Sequence, residues 1–406
     1  MSVVDSLLNI TEYFSGDEIT LYAQRCLNTR FRQIGCTICT DACPVEDAIT
    51  LKPGPAPIFN AEACIHCGLC LHACPTNAFT RPDPTLNRLP QTIAILPAEP
   101  ISLICPQHPD PAHGQTAVAV QTKRCLAALS PAHLLPLALQ EKPIVLDDSH
   151  CAKCPIGAVH PHIEQSAARA NAWAEIPGEH TPIRLRTQLP ADAPSVPRTV
   201  VDIDRPPVSR RGFFKSISQL GKEGIGAVLA EEPVDPASLG RFVPVSERLP
   251  HFVPAQRVRI LSRLDEKLAD TPPAPAPLTH DADGALPVFD VVVSPEKCTA
   301  CGLCARFCPT GSLTFLSDET RFALGFYPAL CLGDDCGICA VACPEDAISL
   351  EKVAPTLAVL SKKPRYLAAG ELTKCSMCGQ PIAAGDDHPS TCYACRPHQN
   401  FEFQFP

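Results

Sequence analysis

Aromatic side chains are scarce, at 5% of 406 residues with a single Trp, and Met occurs twice. Bulky apolar rings dominate large packed cores. Their scarcity, with 45 prolines, argues against one large core and for two to four modest domains. No run of about eighteen apolar residues occurs, because Pro, Glu or His interrupts 91–105 and 126–139, so no membrane span is expected. The opening MSVVDSLLNITEYFSGDE has neither a basic n-region nor a long apolar h-region. No secretory peptide is therefore expected, and the cytoplasm is the expected location. A net charge of −9 and a pI near 5.8 disfavour nucleic acid as a partner. There is no GxGxxG dinucleotide loop, P-loop, nucleophile elbow or HExxH, so no catalytic residues are assigned and an enzyme is not expected.

What the chain has in quantity is cysteine, 24 in all. Disulfide frameworks belong mainly to small secreted domains, whereas cysteines at repeated three- and four-residue spacings are metal ligands. Four segments resemble one another: CTICTDACPVEDAITL (36–51), CIHCGLCLHACPTNAFT (64–80), CTACGLCARFCPTGSLTF (298–315) and CGICAVACPEDAISL (336–350). Each runs through Cys-Pro and a polar turn into an apolar, strand-like stretch, and they pair into two modules.

The run Cys-x2-Cys-x2-Cys-x3-Cys-Pro is complete at Cys64, Cys67, Cys70, Cys74 and at Cys298, Cys301, Cys304, Cys308. In such runs three thiolates hold one cubane and the fourth ligates the other. The partner runs keep only three regular cysteines and need a displaced first ligand, Cys331 in one module and Cys26 in the other. At these residues the chain resembles the bacterial two-[4Fe-4S] ferredoxins, used twice over roughly 130 residues. The resemblance implies the groups Cys26, Cys36, Cys39, Cys74; Cys43, Cys64, Cys67, Cys70; Cys298, Cys301, Cys304, Cys343; and Cys308, Cys331, Cys336, Cys339. Were Cys26 a free thiol, its site would hold a three-iron cluster. Zinc is the alternative metal, but zinc sites usually come as two separated pairs. His66 and His72 flank one run and are candidates to donate to a cluster sulfur.

Between the modules, short apolar runs (ISLIC, TAVAV, PIVLDD) alternate with helix-like stretches (LAALSPAHLLPLALQ, HIEQSAARANAWAE), the pattern of a small α/β unit. Cys105, Cys125, Cys151 and Cys154 follow these strands, where loops at one sheet edge converge on ligands. Four thiols suit a fifth [4Fe-4S] cluster or a zinc, and Cys-x2-Cys-Pro favours the cluster. His108, His113 and His150 offer mixed zinc ligation instead. At the C-terminus Cys375, Cys378, Cys392 and Cys395 form two Cys-x2-Cys knuckles thirteen residues apart. They resemble a zinc ribbon. Tyr393 stands where rubredoxin-type iron sites carry proline, which favours zinc.

The expected fold is α+β. It comprises a two-cluster ferredoxin module (1–85), a small α/β domain with a four-Cys site (86–175) and a Pro-rich linker (176–287), then a second two-cluster module (288–355) and a zinc-ribbon tail (356–406). The linker holds SRRGFFK (209–215), similar to twin-arginine export motifs but far from the N-terminus, and a docking helix is the expected reading. The chain is also similar to iron-sulfur proteins of respiratory molybdenum or tungsten oxidoreductases such as formate dehydrogenase, which implies such a redox partner. The expected function is a polyferredoxin relaying electrons through four or five [4Fe-4S] clusters, with assembly or maturation of such an oxidoreductase as the alternative.

Overall fold

In each module the two cysteine runs alternate with short strands whose register is set by apolar pairs. The computed structural model describes residues 19–51, 56–81, 84–96, 100–203 apart from 191 and 193, 249–270, 289–352, 363–385 and 388–396. The first module runs β1 (Thr20–Leu21), α1 (Leu27–Arg30), α2 (Ile38–Asp41), β2 (Ile49–Thr50), β3 (Ile58–Phe59), α3 (Cys70–Ala73) and β4 (Phe79–Thr80). β1 pairs antiparallel with β4, placing Leu21 opposite Phe79, and β2 pairs with β3, placing Ile49 opposite Phe59. Ile19, Ile49 and Phe79 are buried together with the thiols that the runs turn inward. Four-residue helices cannot stand alone. Their apolar contacts and cysteines hold them in place.

The middle region adds α4 (Pro84–Ile95), β5 (Ile101–Ile104), β6 (His113–Gly114), β7 (Val118–Gln121), α5 (Pro131–Ala138), β8 (Ile144–Leu146), α6 (His160–Glu175), β9 (Arg184–Leu185), β10 (Val196–Pro197) and β11 (Thr199–Asp202). Five strands make a wholly parallel sheet in the order β11-β7-β5-β8-β9. Every residue of β5 and β8 is buried, as expected for strands in the interior of a parallel sheet. α5 starts cleanly because Ser130 and His133 cap each other's main-chain N–H groups and Pro131 supplies a helical φ without needing a donor.

Residues 176–287 were expected to form an extended tether, and the structure corrects this in two places. β9 and β11 complete the sheet, and α7 (Ala255–Asp270) packs on α5 and α6. The helix buries Arg257, Ile260 and Leu264, a three-and-four spacing along one face. Ile260 and Leu264 join the same core as Ile93, Leu134 and Trp173. Proline density pointed to extension, yet prolines outside a segment leave its own 3.6-residue period intact. SRRGFFK lies outside the described residues.

The second module repeats the first with β12 (Phe289–Val293), α8 (Leu303–Phe307), β13 (Leu313–Ser317), β14 (Arg321–Phe326), α9 (Ile338–Val341) and β15 (Ile348–Lys352). β12 pairs with β15 as β1 does with β4, and β13 with β14 as β2 does with β3. β16 (Arg365–Lys374) then pairs with β14 and with β17 (Pro381–Ala383), so the cysteine-bearing tail shares one four-stranded sheet with the module. Among the described residues no helix is long and apolar enough to cross a membrane.

Candidate metal centres

Backbone geometry aims N–H groups at sulfur at matching positions of the repeats. Three residues after the last cysteine of a run, Asn77 and Asp346 take positive φ angles of 48°, and Gly311 takes 72°. The next N–H then turns back, so that Ala78 donates to Cys74 Sγ and Ala347 to Cys343 Sγ, both at 3.3 Å. Within Cys-x2-Cys, His66 and Ala300 also take positive φ, 56° and 57°, and His66 N–H donates to Cys64 Sγ at 3.4 Å. Gly333 donates likewise to Cys331 Sγ at 3.4 Å. Non-glycine residues at positive φ are uncommon and cluster at functional sites. Here the strain delivers donors that favour an anionic sulfur.

The expected groups come together. Cys26, Cys36, Cys39 and Cys74 line one small cavity, and Cys43, Cys64, Cys67 and Cys70 line another. Cys301 lies beside Cys298 and Cys343, and Cys304 beside Cys298 and Cys301. Cys336 neighbours Cys308, Cys331 and Cys339. Burial first, with mutual repulsion, pushes several of these thiols up, Cys39 to about 12 and Cys301 to about 11. Without a metal they would stay protonated at neutral pH, so only a bound cation makes such a cluster of buried donors anionic. Soft, close-set thiols with aimed N–H donors fit iron-sulfur ligation.

The middle-domain cysteines converge as expected. Cys105 follows β5, Cys125 follows β7, and Cys151 and Cys154 follow β8, all at the carboxyl edge of the parallel sheet. They line a cavity of about 890 Å³ with Lys123, Arg124 and Lys153. Cys151 faces Cys125, Cys105 and Cys154, and burial with this crowding pushes it up to about 12.

Two residues that sequence reasoning passed over hold this loop, Asp147 and Asp148, both buried. Asp147 accepts hydrogen bonds from Ser149 Oγ at 2.7 Å and Arg198 Nη1 at 2.9 Å, with His108 Nε2 at 3.3 Å. Burial alone would raise its carboxyl, but the partners outweigh it and hold it well below the usual range. Asp148 accepts from Thr187 N–H and Oγ1 and lies 2.8 Å from His160 Nε2. A pair of acids directly after an apolar strand and before Cys-x2-Cys was the available signal.

His108 and His113 are thus engaged with Asp147 and Asp110, and the His108 and His150 rings meet edge to face at 4.9 Å. The His72 ring reaches Ala127 O at 2.5 Å rather than a sulfur, and burial pushes it down to about 4. His66 reaches sulfur through its main chain.

The tail differs in scale. Ligand atoms of Cys375, Cys378, Cys392 and Cys395 all lie within 4.8 Å of one another, with Cys378 and Cys392 sulfurs 3.6 Å apart. That spacing suits four thiolates around one tetrahedral ion at ~2.3 Å each. Among the described residues no other three Cys, His, Asp or Glu ligand atoms come so close.

These centres form a continuous series. Cys125 neighbours Cys67 across the seam between middle domain and first module. A Cβ on Gly68 there would meet Ala128 Cβ at 2.8 Å, so only glycine allows the approach. Cys70 neighbours Cys39, and Cys304 neighbours Cys339, linking the two sites within each module. Between modules, Leu27, Phe31, Ile34 and Cys36 pack with Phe307, Leu332, Cys336 and Ile338. The Phe31 and Phe307 rings are 5.0 Å apart at 61°. Arg396 pairs with Glu345 beside Cys301 and joins the tail to the far end.

A model of the 4Fe-4S dicluster domain matches residues 34–78, and one of the 4Fe-4S binding domain matches residues 291–314. The chain is 34% identical over 92 residues to the polyferredoxin protein MvhB of Methanothermus fervidus, covering 23% of this chain and 20% of that protein. It is 35% identical over 66 residues, 16% of its length, to an uncharacterized ferredoxin of Methanocaldococcus jannaschii, of which it covers 83%. With two iron-sulfur domains matched and nearly the whole of a small ferredoxin aligned, the chain belongs to the 4Fe-4S ferredoxin family.

Proposed function

We propose that this iron-sulfur protein is a polyferredoxin that relays electrons along five [4Fe-4S] clusters. The ligand groups are Cys105/Cys125/Cys151/Cys154, Cys43/Cys64/Cys67/Cys70, Cys26/Cys36/Cys39/Cys74, Cys308/Cys331/Cys336/Cys339 and Cys298/Cys301/Cys304/Cys343, in that spatial order. The observation that carries the reading is the seam at Leu27, Phe31 and Phe307, which sets the inner thiols of one module against those of the other. Two independent ferredoxins on a tether would not need it. When bound, the clusters would supply reversible one-electron chemistry at iron. The chain's residues hold them, direct N–H groups at their sulfurs and exclude water. Cys375, Cys378, Cys392 and Cys395 would hold a structural zinc that folds the tail onto β14.

A redox enzyme would exchange electrons at one end of the series. The resemblance to proteins of respiratory molybdenum or tungsten oxidoreductases makes a cytoplasmic formate dehydrogenase a partner to test. In an anaerobic titration the relay predicts that all clusters reduce and reoxidise through repeated cycles with iron retained. Transfer of that iron to an apo-ferredoxin during the cycles would favour a maturation role and overturn the relay.

A further inference from the structure

Two arginines, Arg257 buried and Arg30 half-buried, converge on one of the four ferredoxin-type sites. Arg257, from α7, donates from Nε to Ala329 O at 2.7 Å, two residues before Cys331, and lies over the Trp173 ring at 5.2 Å. Arg30, from α1 of the other module, donates to Phe307 O at 2.8 Å, Cys308 O at 3.3 Å and Pro250 O at 2.8 Å. Among the described residues these hydrogen bonds all go to main-chain carbonyls, which neutralise no charge. Burial pushes Arg257 down to about 10, with Cys331 acting against it, and Cys308 and Cys336 act likewise on Arg30. A buried guanidinium is costly unless an anion faces it. Here the facing anion would be the cluster with its thiolates.

The other ferredoxin-type sites carry a different balance: beside Cys301 the Arg396 guanidinium is paired with Glu345, and near Cys74 Arg25 donates to Asn77 O at 3.4 Å. Glu345 faces Cys298 and Cys301, and Asp335 faces Cys36. No charged side chain figures among the main influences on Cys67 and Cys70. Asp334 and Asp335 also precede Cys336; Asp334 is exposed, and Asp335, next to Cys336 and facing Cys36, bears on both sites.

We propose that Arg30 and Arg257 act as positioning residues that make the Cys308/Cys331/Cys336/Cys339 site the highest-potential of the four ferredoxin-type sites. Electrons entering either module then settle at the seam between them. This rests on the relay reading. The step is the transfer of one electron from the reduced neighbour at Cys26/Cys36/Cys39/Cys74, which is oxidised as this site is reduced. No bond forms or breaks. The added negative charge lies against two guanidiniums, and net charge and hydrogen bonding around a cluster set its potential.

The test is an EPR-monitored redox titration of the full chain and of Arg257→Gln, Arg30→Gln and Arg257→Lys, with iron measured on each sample. The first ferredoxin-type component to reduce should be the one altered by Cys336→Ser. In each Gln variant its reduced-to-oxidised ratio at fixed potential should fall about tenfold, which is 59 mV for a one-electron couple. Arg257→Lys should stay within about threefold of the parent, because it keeps the charge. Arg30→Gln changes a half-buried residue, so the inference stays testable if Arg257→Gln fails to fold. An unchanged titration in a Gln variant that retains its iron overturns the inference and leaves the relay standing. A parent chain without reversibly reducible iron overturns both.

Discussion

At the scale of single residues the account depends on backbone bent for a purpose. Asp346 holds a φ of 48° so that Ala347 can donate to Cys343 Sγ. Asp346→Val should cost about 1–3 kcal/mol, since a β-branched side chain tolerates that conformation poorly. Asp346→Gly should cost little. Thermal unfolding under anaerobic conditions distinguishes the two, and equal losses would show that the φ angle is not the cause. Gly68→Ala tests the seam to the middle domain. Its added methyl meets Ala128 Cβ at 2.8 Å, and the variant should lose stability without losing a ligand.

The cysteines themselves were legible because ligand spacing is a local property. Cys26 and Cys331 were expected by counting, since each module lacked one thiol, and they lie beside the cysteines of their runs. Arg30 and Arg257 were not legible, because what they touch lies 277 and 72 residues away. Asp147 and Asp148 escaped for the same reason, with partners at Arg198 and Thr187.

Among elements, α7 is the clearest case of structure hidden by composition. It stands amid proline-rich sequence, yet Leu264 is fully buried against the middle domain's core. Leu264→Ala should cost about 2–5 kcal/mol by removing packed methyl groups and leaving a cavity, read from the denaturant midpoint. A loss below about 0.5 kcal/mol, as for surface substitutions, would mean that the helix is not docked in solution. The parallel pairs β11-β7 and β8-β9 were equally hidden, because two- and four-residue strands carry no periodicity of their own and gain a partner only in the folded sheet. The strands β2, β4, β13 and β15 were readable, since each follows the Cys-Pro end of a cysteine run. The loops after β5, β7 and β8 carry their own prediction. Replacing Cys151 and Cys154 together with Ser should remove about four irons, with zinc unchanged. Unaltered iron would show that the middle domain holds no cluster.

For the whole molecule, contiguity matters more than the number of sites. The middle domain meets the first module at Cys125 and Cys67, the modules meet at Phe31 and Phe307, and the tail meets the far site at Arg396 and Glu345. Only the sequence order of these parts could be read in advance. Their order in space arises from packing between residues such as Leu27 and Ile338, which are 311 positions apart. The most direct measurement is anaerobic quantification of iron, acid-labile sulfide and zinc on one protein sample. Five cubanes and one tetrathiolate ion predict about twenty irons, about twenty sulfides and one zinc per chain. Fewer than about twelve irons, or iron without matching sulfide, would contradict the account.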